Sequence, residues 1–406
     1  MKYAGFKEQR FREELRDLVQ KNLNYEEDMK DEEVKGVIEK AAYHMLKNEH
    51  ISLECIFALK KDVFNSMRRL DVLQDYLEDE NITEIMVNGC DSIFVEKRGE
   101  LIKSNKSFDS EERLMDIIQN IVGDINRTVN ERKPIADARL KDGSRVNIVL
   151  PPISINGPIV TIRKFKKENY TLSDLVEMGS LSQKAKEFLE KIVKARYNIF
   201  ICGGTDTGKT TFLNALAYYI HKEERVVTIE DLAELKLDTV ENLVSLEARD
   251  TSIEEAQVSI RDLIKTALRM RPDRIIVGEV RDSAVIDLMN AYNTGHDGSI
   301  STGHGNSTKD MITRLITMFL MGMELPEQAI KKQIASAIDI FVHLGRNKNN
   351  KRVVFSIDEV CKDVKTDIRM NNLFYYDFQR EELIRSDRQL NNTQKMERRG
   401  IEYSGL

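Results

Sequence analysis

Residues Gly203 to Thr211 read GGTDTGKTT, a G-x-x-x-x-G-K-T run. It follows the apolar stretch NIFICGG and precedes the helix-forming stretch TTFLNALAYYI. A glycine loop between a strand and a helix is a strong constraint, because it fits a parallel α/β sheet that presents backbone amides to phosphate oxygens. Gly203, Gly204, Thr205, Asp206, Thr207, Gly208, Lys209, Thr210 and Thr211 are therefore the expected nucleotide-binding residues. Lys209 would reach the β- and γ-phosphates, and Thr210 would turn its hydroxyl to Mg²⁺. The following helix adds the partial positive charge of its N-terminus. Asp206 is the odd member, a carboxylate in an anion cradle. Its amide can serve the nest while its side chain points outward, and Asp tolerates unusual backbone angles. The expectation is a working loop with a modest cost in affinity.

Strands and helices alternate around this loop. RVVTIE, RIIVGE and GSIST read as strands, and Ile253–Met270, Thr308–Met321 and Pro326–Ala335 as helices. IDIFVHL and RVVFSI flank the polar turn GRNKNNKR. Such alternation predicts a mostly parallel sheet covered on both faces. Upstream, residues 1–74 read as a helical extension, with Ser52 as a helix cap. Residues 75–165 read as a small α/β domain with a hairpin turn at Asp142-Gly143. Residues 166–184 are polar and rich in capping residues, and are expected to be a linker. The domain built around the glycine loop is expected over 185–360. The tail over 361–406 holds one strand-like run, NNLFYYDF, with no assigned role.

Two sets of acidic groups stand at predicted strand ends, where open α/β sheets meet ligands. In RIIVGEVRD, Glu279 could hold Mg²⁺ through water or polarise an attacking water, with Gly278-Glu279 where an aspartate is usual. In VVTIEDLAEL, one of Glu230, Asp231 and Glu234 could orient the hydrolytic water. His296 and His304 lie in TGHDGSISTGHGN. Their spacing is not that of a zinc site. They could contact a γ-phosphate or be polar turn residues. Arg139, Arg145 and Arg163, with Lys164, are basic groups of the smaller domain. They could neutralise charge on a γ-phosphate or form a solvated face.

Lys and Arg total 62 and Asp and Glu 68, a net charge of −6. That balance argues against bulk nucleic-acid binding. The stretch MKYAGFKEQRF does not read as a signal peptide, and no run approaches the roughly 18–20 apolar residues of a membrane span. Cys55, Cys90, Cys202 and Cys361 are dispersed, which suits reduced thiols in the cytoplasm.

The motifs occur in one order: the arginine-bearing segment, GGTDTGKTT, TIEDLAEL, ALRMRPDRIIVGEVRD, and TGHDGSISTGHGNS. That order resembles the secretion and pilus-assembly ATPases of the type II/type IV secretion superfamily. VNG at 87–89, DGSRVN at 142–147 and IASAIDIFVHL at 334–344 resemble its tight-adherence (Flp) pilus branch. The resemblance implies a RecA-like P-loop motor domain behind a smaller N-terminal domain, assembled as a hexamer. It implies ATP and Mg²⁺, an inner-membrane platform protein as partner, and a place at the inner face of the cytoplasmic membrane. Glu230 would be the catalytic carboxylate and Glu279 the atypical Walker B residue beside Mg²⁺. His296 and His304 would form the histidine box. Two departures from the family pattern are Asp206, where a small residue is common, and Gly305 in HGN. The rival expectations are an ATP-binding structural switch with negligible hydrolysis and a nucleic-acid translocase.

Overall fold

The computed structural model describes residues 2–23, 29–47, 51–123, 128–165, 170–249, 257–364 and 366–403, with side chains from residue 10 onward. The chain divides into two compact units, Met1–Lys167 and Glu168–Leu406.

The first unit opens with α1 (Lys2–Asn22), α2 (Asp31–Leu46), α3 (Leu53–Arg68) and the short α4 (Leu73–Glu78). Leu15, Val19, Val34, Ile38, Leu59 and Val63 form the shared core of α1, α2 and α3. Ser52 caps α3, its side chain accepting from the Cys55 amide. The helices are followed by β1 (Ile82–Asn88), β2 (Ile93–Lys97), β3 (Glu100–Lys103), α5 (Glu111–Gly123), β4 (Ile135–Arg139), β5 (Arg145–Val149) and β6 (Ile159–Arg163). The strands form one antiparallel sheet in the order β3-β2-β1-β6-β5-β4. Period-2 alternation sends Ile85, Val87, Val146, Ile148, Val160 and Ile162 to one face, against Leu114, Ile117, Ile118 and Ile121 of α5. The turn at Asp142-Gly143 forms as expected. Gly143 has φ +93°, and the Asp142 carboxylate accepts from the Ser144 amide and hydroxyl.

The helical extension and the small sheet belong to one compact unit. Asp71, almost fully buried, is bridged by Arg12 of α1 at 2.5 Å and by Arg113 of α5 at 2.7 Å. Arg16 adds a 2.9 Å bridge to Asp109. Arg139, Arg145 and Arg163 are direct register neighbours on β4, β5 and β6, so they form one row at one end of the sheet.

The second unit contains α6 (Leu172–Glu177), α7 (Gln183–Lys194), β7 (Ile199–Gly203), α8 (Lys209–Ala217), β8 (Arg225–Glu230), β9 (Asn242–Glu247), α9 (Ile260–Ala267), β10 (Arg274–Val277), α10 (Ala284–Asn293), β11 (Ile300–His304), α11 (Thr308–Leu320), α12 (Glu327–Ala337), β12 (Ile340–Arg346), β13 (Arg352–Val360), β14 (Met370–Asp377), β15 (Glu382–Arg385) and α13 (Gln394–Glu397). The sheet order is β15-β14-β13-β12-β7-β11-β10-β8-β9. β12 through β9 in that order are parallel, and β13, β14 and β15 add on antiparallel. α6, α7 and α8 cover one face through Phe188, Leu189, Ile192 and Leu213. α9, α10, α11 and α12 cover the other through Ile264, Leu288, Leu315 and Ile334.

Several expectations change here. Residues 166–169 of the expected linker lie outside the described residues, and from Leu172 the segment is helical. Thr171 and Asp174 form a capping box, and Leu172, Leu175 and Leu181 are buried in the core. The capping residues that suggested a loop mark a helix start instead. The helix expected from Ile253 begins at Ile260, where Ser259 and Asp262 form its capping box, and Arg249 and Val258 form a bridge just before it. Residues 253–256 lie outside the described residues. The C-terminal segment is not a free tail. Its strands extend the sheet, and the buried Glu359 carboxylate accepts from the amides of Asn391 and Asn392 at 2.8–3.1 Å.

Arg274, with 1% of its side chain exposed, is bonded through Nε and Nη2 to both Glu224 oxygens at 2.7 and 3.0 Å. Removing one partner strands a buried charge, so Glu224→Ala is expected to lower the unfolding free energy by about 3–5 kcal/mol in urea denaturation. A loss within error of zero would show that the guanidinium finds other partners.

Candidate functional site

All five residues of β7 are buried, and the strand ends at Gly203. A Cβ there would sit 2.6 Å from the Leu344 carbonyl and 2.6 Å from Thr207 Oγ1, so the close approach requires glycine. The loop then turns through two left-handed residues, Asp206 at φ +56° and Gly208 at φ +90°, before α8 starts at Lys209. Thr207 is buried and donates its hydroxyl to the Gly204 carbonyl at 2.9 Å. Thr210 and Thr211 are half-buried in the first turn of α8.

Lys209 is buried, and its Nζ donates to the carbonyls of Gly204 at 2.8 Å and Gly203 at 3.3 Å. It also lies 3.3 Å from Nδ1 of His304. Burial pushes the lysine pKa below its ordinary value, against the pull of Glu279. His304 ends β11, level with Gly203 in the parallel register. Its Nε2 is 3.2 Å from Oε1 of Glu279. Burial and the Lys209 charge lower the His304 pKa, which favours the neutral ring. The assigned tautomer carries its proton on Nε2, donates to Glu279 and accepts at Nδ1 from Lys209.

Glu279 follows β10 and completes the line. Arg281 grips it with Nε and Nη2 at 3.0 and 3.2 Å, and Arg281 also lies 3.7 Å from Asp231. Burial alone would raise the Glu279 pKa; hydrogen bonding and charge from Arg281, with His304 and Lys209, bring it below the ordinary value. The carboxylate is therefore ionised at neutral pH. Thr302 donates to the Gly278 carbonyl at 2.6 Å and fixes the path of this segment.

Glu230, at the end of β8, is only 4% exposed. Its carboxylate accepts from the amides of Glu234 at 2.9 Å and Leu235 at 3.0 Å, so it holds the turn that follows. A Cβ on Gly278 would lie 2.9 Å from Glu230 Cγ. That contact explains why glycine stands where the sequence pattern led one to expect aspartate: a side chain at 278 would displace Glu230.

The loop, Lys209, His304, Glu279 and Glu230 thus gather at the C-terminal ends of β7, β11, β10 and β8. His296 does not join them. It precedes β11, whose parallel pairing puts His304 level with Gly203 and Ile300 level with Ile199. At the usual rise per residue, His296 is at least about 13 Å away along the strand. Its Nδ1 lies 3.1 Å from the Ala291 carbonyl, and its own carbonyl accepts from Ser299 Oγ. The eight-residue spacing contains a whole strand and so splits the two histidines between opposite ends of β11. Arg139, Arg145 and Arg163 belong to the first unit and form the row described above.

Three groups at the site were not singled out from the sequence. Arg281 lies within the quoted GEVRD run. Arg346 and Arg352 flank the polar turn between β12 and β13 and both grip Asp206. Nothing in their local pattern distinguishes them from solvated basic residues.

Residues 68–399 match the family model described as "Type II/IV secretion system protein". The chain is similar to a putative conjugal transfer protein of Mycobacterium tuberculosis, 33% identical over 288 residues, covering 69% of this chain and 81% of that one. It is also 31% identical over 305 residues to the type IV secretion system protein VirB11 of Brucella suis, covering 68% and 84%. Among solved structures, it is similar to the Legionella pneumophila ATPase DotB, with TM-score 0.53, 23% identity and coverage of 72% and 80%. The pilus retraction motor PilT with bound ADP gives TM-score 0.52 at 17% identity, covering 82% and 87%. These two likenesses establish the fold, a RecA-like P-loop domain that follows a smaller α/β domain along the chain. The chain belongs to the type II/IV secretion system protein family.

Proposed function

We propose that this protein is an ATP hydrolase that converts nucleotide turnover into domain motion for pilus assembly or protein secretion. The observation that carries the reading is the line Lys209–His304–Glu279–Arg281 across three strand ends beside a glycine loop closed by two left-handed residues. A loop of small residues that turns through two left-handed residues into the N-terminus of α8 suits phosphate. A hydroxyl at Thr210 and an ionised Glu279 suit Mg²⁺, the latter through water. The metal ion would neutralise charge on the phosphates.

The chain's own residues supply the rest. Loop amides and the α8 N-terminus receive the phosphates. Lys209 exchanges its two carbonyl partners for phosphate oxygens. Neutral His304 sits between Lys209 and Glu279 and relays the position of one to the other. Glu230 orients the attacking water once the turn at 231–235 releases its carboxylate. The row Arg139, Arg145 and Arg163 is proposed to supply positive charge to phosphate in an assembled ring. A hexamer of the tight-adherence branch, acting on an inner-membrane platform from the cytoplasmic side, is the assembly proposed. Among the described residues, no helix is long and apolar enough to cross a membrane.

The test is phosphate release by the purified protein with Mg-ATP, with oligomeric state followed by mass photometry. Hydrolysis by a hexamer supports the reading. Tight nucleotide binding by an assembled ring without phosphate release in the presence of partner membranes would make it a structural switch instead.

The state of His304 sets an expected pH profile. Its pKa is lowered from 6.5, so the ring stays neutral through pH 7–8 and protonates only below 6.5. Protonation opposes Lys209 and removes the Nδ1 acceptor. Turnover is expected to fall as pH drops below 6.5, and His304→Asn is expected to remove that acid limb. An unchanged limb in His304→Asn would assign it to another group.

A further inference from the structure

Asp206 is in a left-handed conformation within the phosphate loop, and its carboxylate is engaged from one direction by two arginines of a single hairpin. Arg346, the last residue of β12, bridges Oδ2 through Nη2, which also lies 3.1 Å from the Asp206 carbonyl. Arg352, the first residue of β13, bridges Oδ1 at 2.6 Å through Nη2 and donates Nε to the same carbonyl at 3.0 Å. Each guanidinium thus holds the main chain and the side chain of one residue together. Arg346 is itself fixed by Asn350, donating to its carbonyl at 2.9 Å. Arg352 also packs along Gly208, where a Cβ would lie 3.5 Å from its Cδ. The hairpin is anchored beside the loop, because β12 pairs with β7 through Leu344 and Gly203.

We infer that Arg346 and Arg352 are positioning residues for nucleotide binding: a two-arginine clamp that cancels the Asp206 charge and holds the loop's left-handed turn. The inference rests on the nucleotide reading above and names a part of its machinery. A non-glycine residue at positive φ is strained and persists where its surroundings hold it. A bare carboxylate a few ångströms from a polyphosphate repels it, the more so where the local dielectric is low. The clamp addresses both. The planar guanidinium, with several donors in a fixed fork, bonds a carbonyl and a carboxylate at once in one preorganised geometry. A glycine substituted at this position would adopt the same φ without strain and carry no charge, and would make the arginines dispensable.

That equivalence gives the test, a double-mutant cycle read by equilibrium titration with a fluorescent Mg-ATP analogue. Four proteins are compared: wild type, R346Q/R352Q, D206G, and the triple variant. With Asp206 in place, losing the arginines is expected to weaken binding by about tenfold or more. In the D206G background, the same loss is expected to change it by less than about threefold, a coupling of at least about 0.7 kcal/mol. An equal loss in both backgrounds would mean that the arginines meet the nucleotide directly and would overturn the clamp. No loss with Asp206 in place would also overturn it. Recovery of binding in the triple variant excludes misfolding of the double one. Absence of binding by wild type would fail the nucleotide reading itself, whatever the cycle gave, and the clamp with it.

Discussion

Lys209→Ala is expected to reduce phosphate release by at least about 10²–10³-fold, the scale on which a single preorganised positive group acts at a transition state. The lysine is buried beside the loop, in contact with both loop carbonyls and with His304. Its ammonium is the strongest positive charge that the loop can offer to the phosphates, and the low local dielectric magnifies it. The structural cost of the substitution is small by comparison. Alanine is a good helix former at the start of α8, and the freed carbonyls of Gly203 and Gly204 can be hydrated. Thermal unfolding should therefore shift little while turnover is lost. Phosphate release within a factor of two of wild type would remove the glycine loop from the chemistry.

Glu230→Gln is expected to cut turnover by about 10²–10⁴-fold while leaving binding of the Mg-ATP analogue within a few-fold, because a water-orienting carboxylate acts on the transition state and not on ground-state affinity. The substitution separates two roles that the structure combines. The present geometry gives Glu230 a structural task, accepting from the Glu234 and Leu235 amides beneath Gly278. Glutamine matches the shape and keeps a carbonyl oxygen for those amides. Retained turnover in Glu230→Gln would reduce Glu230 to that task and would move the catalytic carboxylate elsewhere, with Glu279 the next to test. Lost turnover with retained binding would mean that the turn at 231–235 opens during the cycle.

Part of this site was readable without a fold. GGTDTGKTT carries its own geometry, since three glycines, small residues and a lysine before an apolar helix admit few backbone paths. His304 and Glu279 were legible as polar groups ending apolar strands, and strand ends of a parallel sheet converge on one edge. The same logic fails for His296, because a linear spacing of eight does not say how much of it is strand. It fails for the segment from Leu172 as well. Thr171, Ser173 and Asp174 are cap and loop residues alike, and only the burial of Leu172, Leu175 and Leu181 decides between them. The C-terminal residues read as one lone strand because nothing local names the neighbour that β14 joins.

Asp206 shows the division most plainly. From the sequence alone follow the loop, its position between strand and helix, the order of acidic and histidine-bearing strand ends, and through that order the family. These are properties of short stretches, where periodicity and allowed backbone angles act. What becomes of the aspartate's charge was decided only in three dimensions, by arginines 140 and 146 residues further along the chain. So were the inward turn of Glu230 under Gly278 and the exclusion of His296. Each depends on which strands lie side by side and in what register, and that arrangement is set by burial of the whole sheet between its two helical layers.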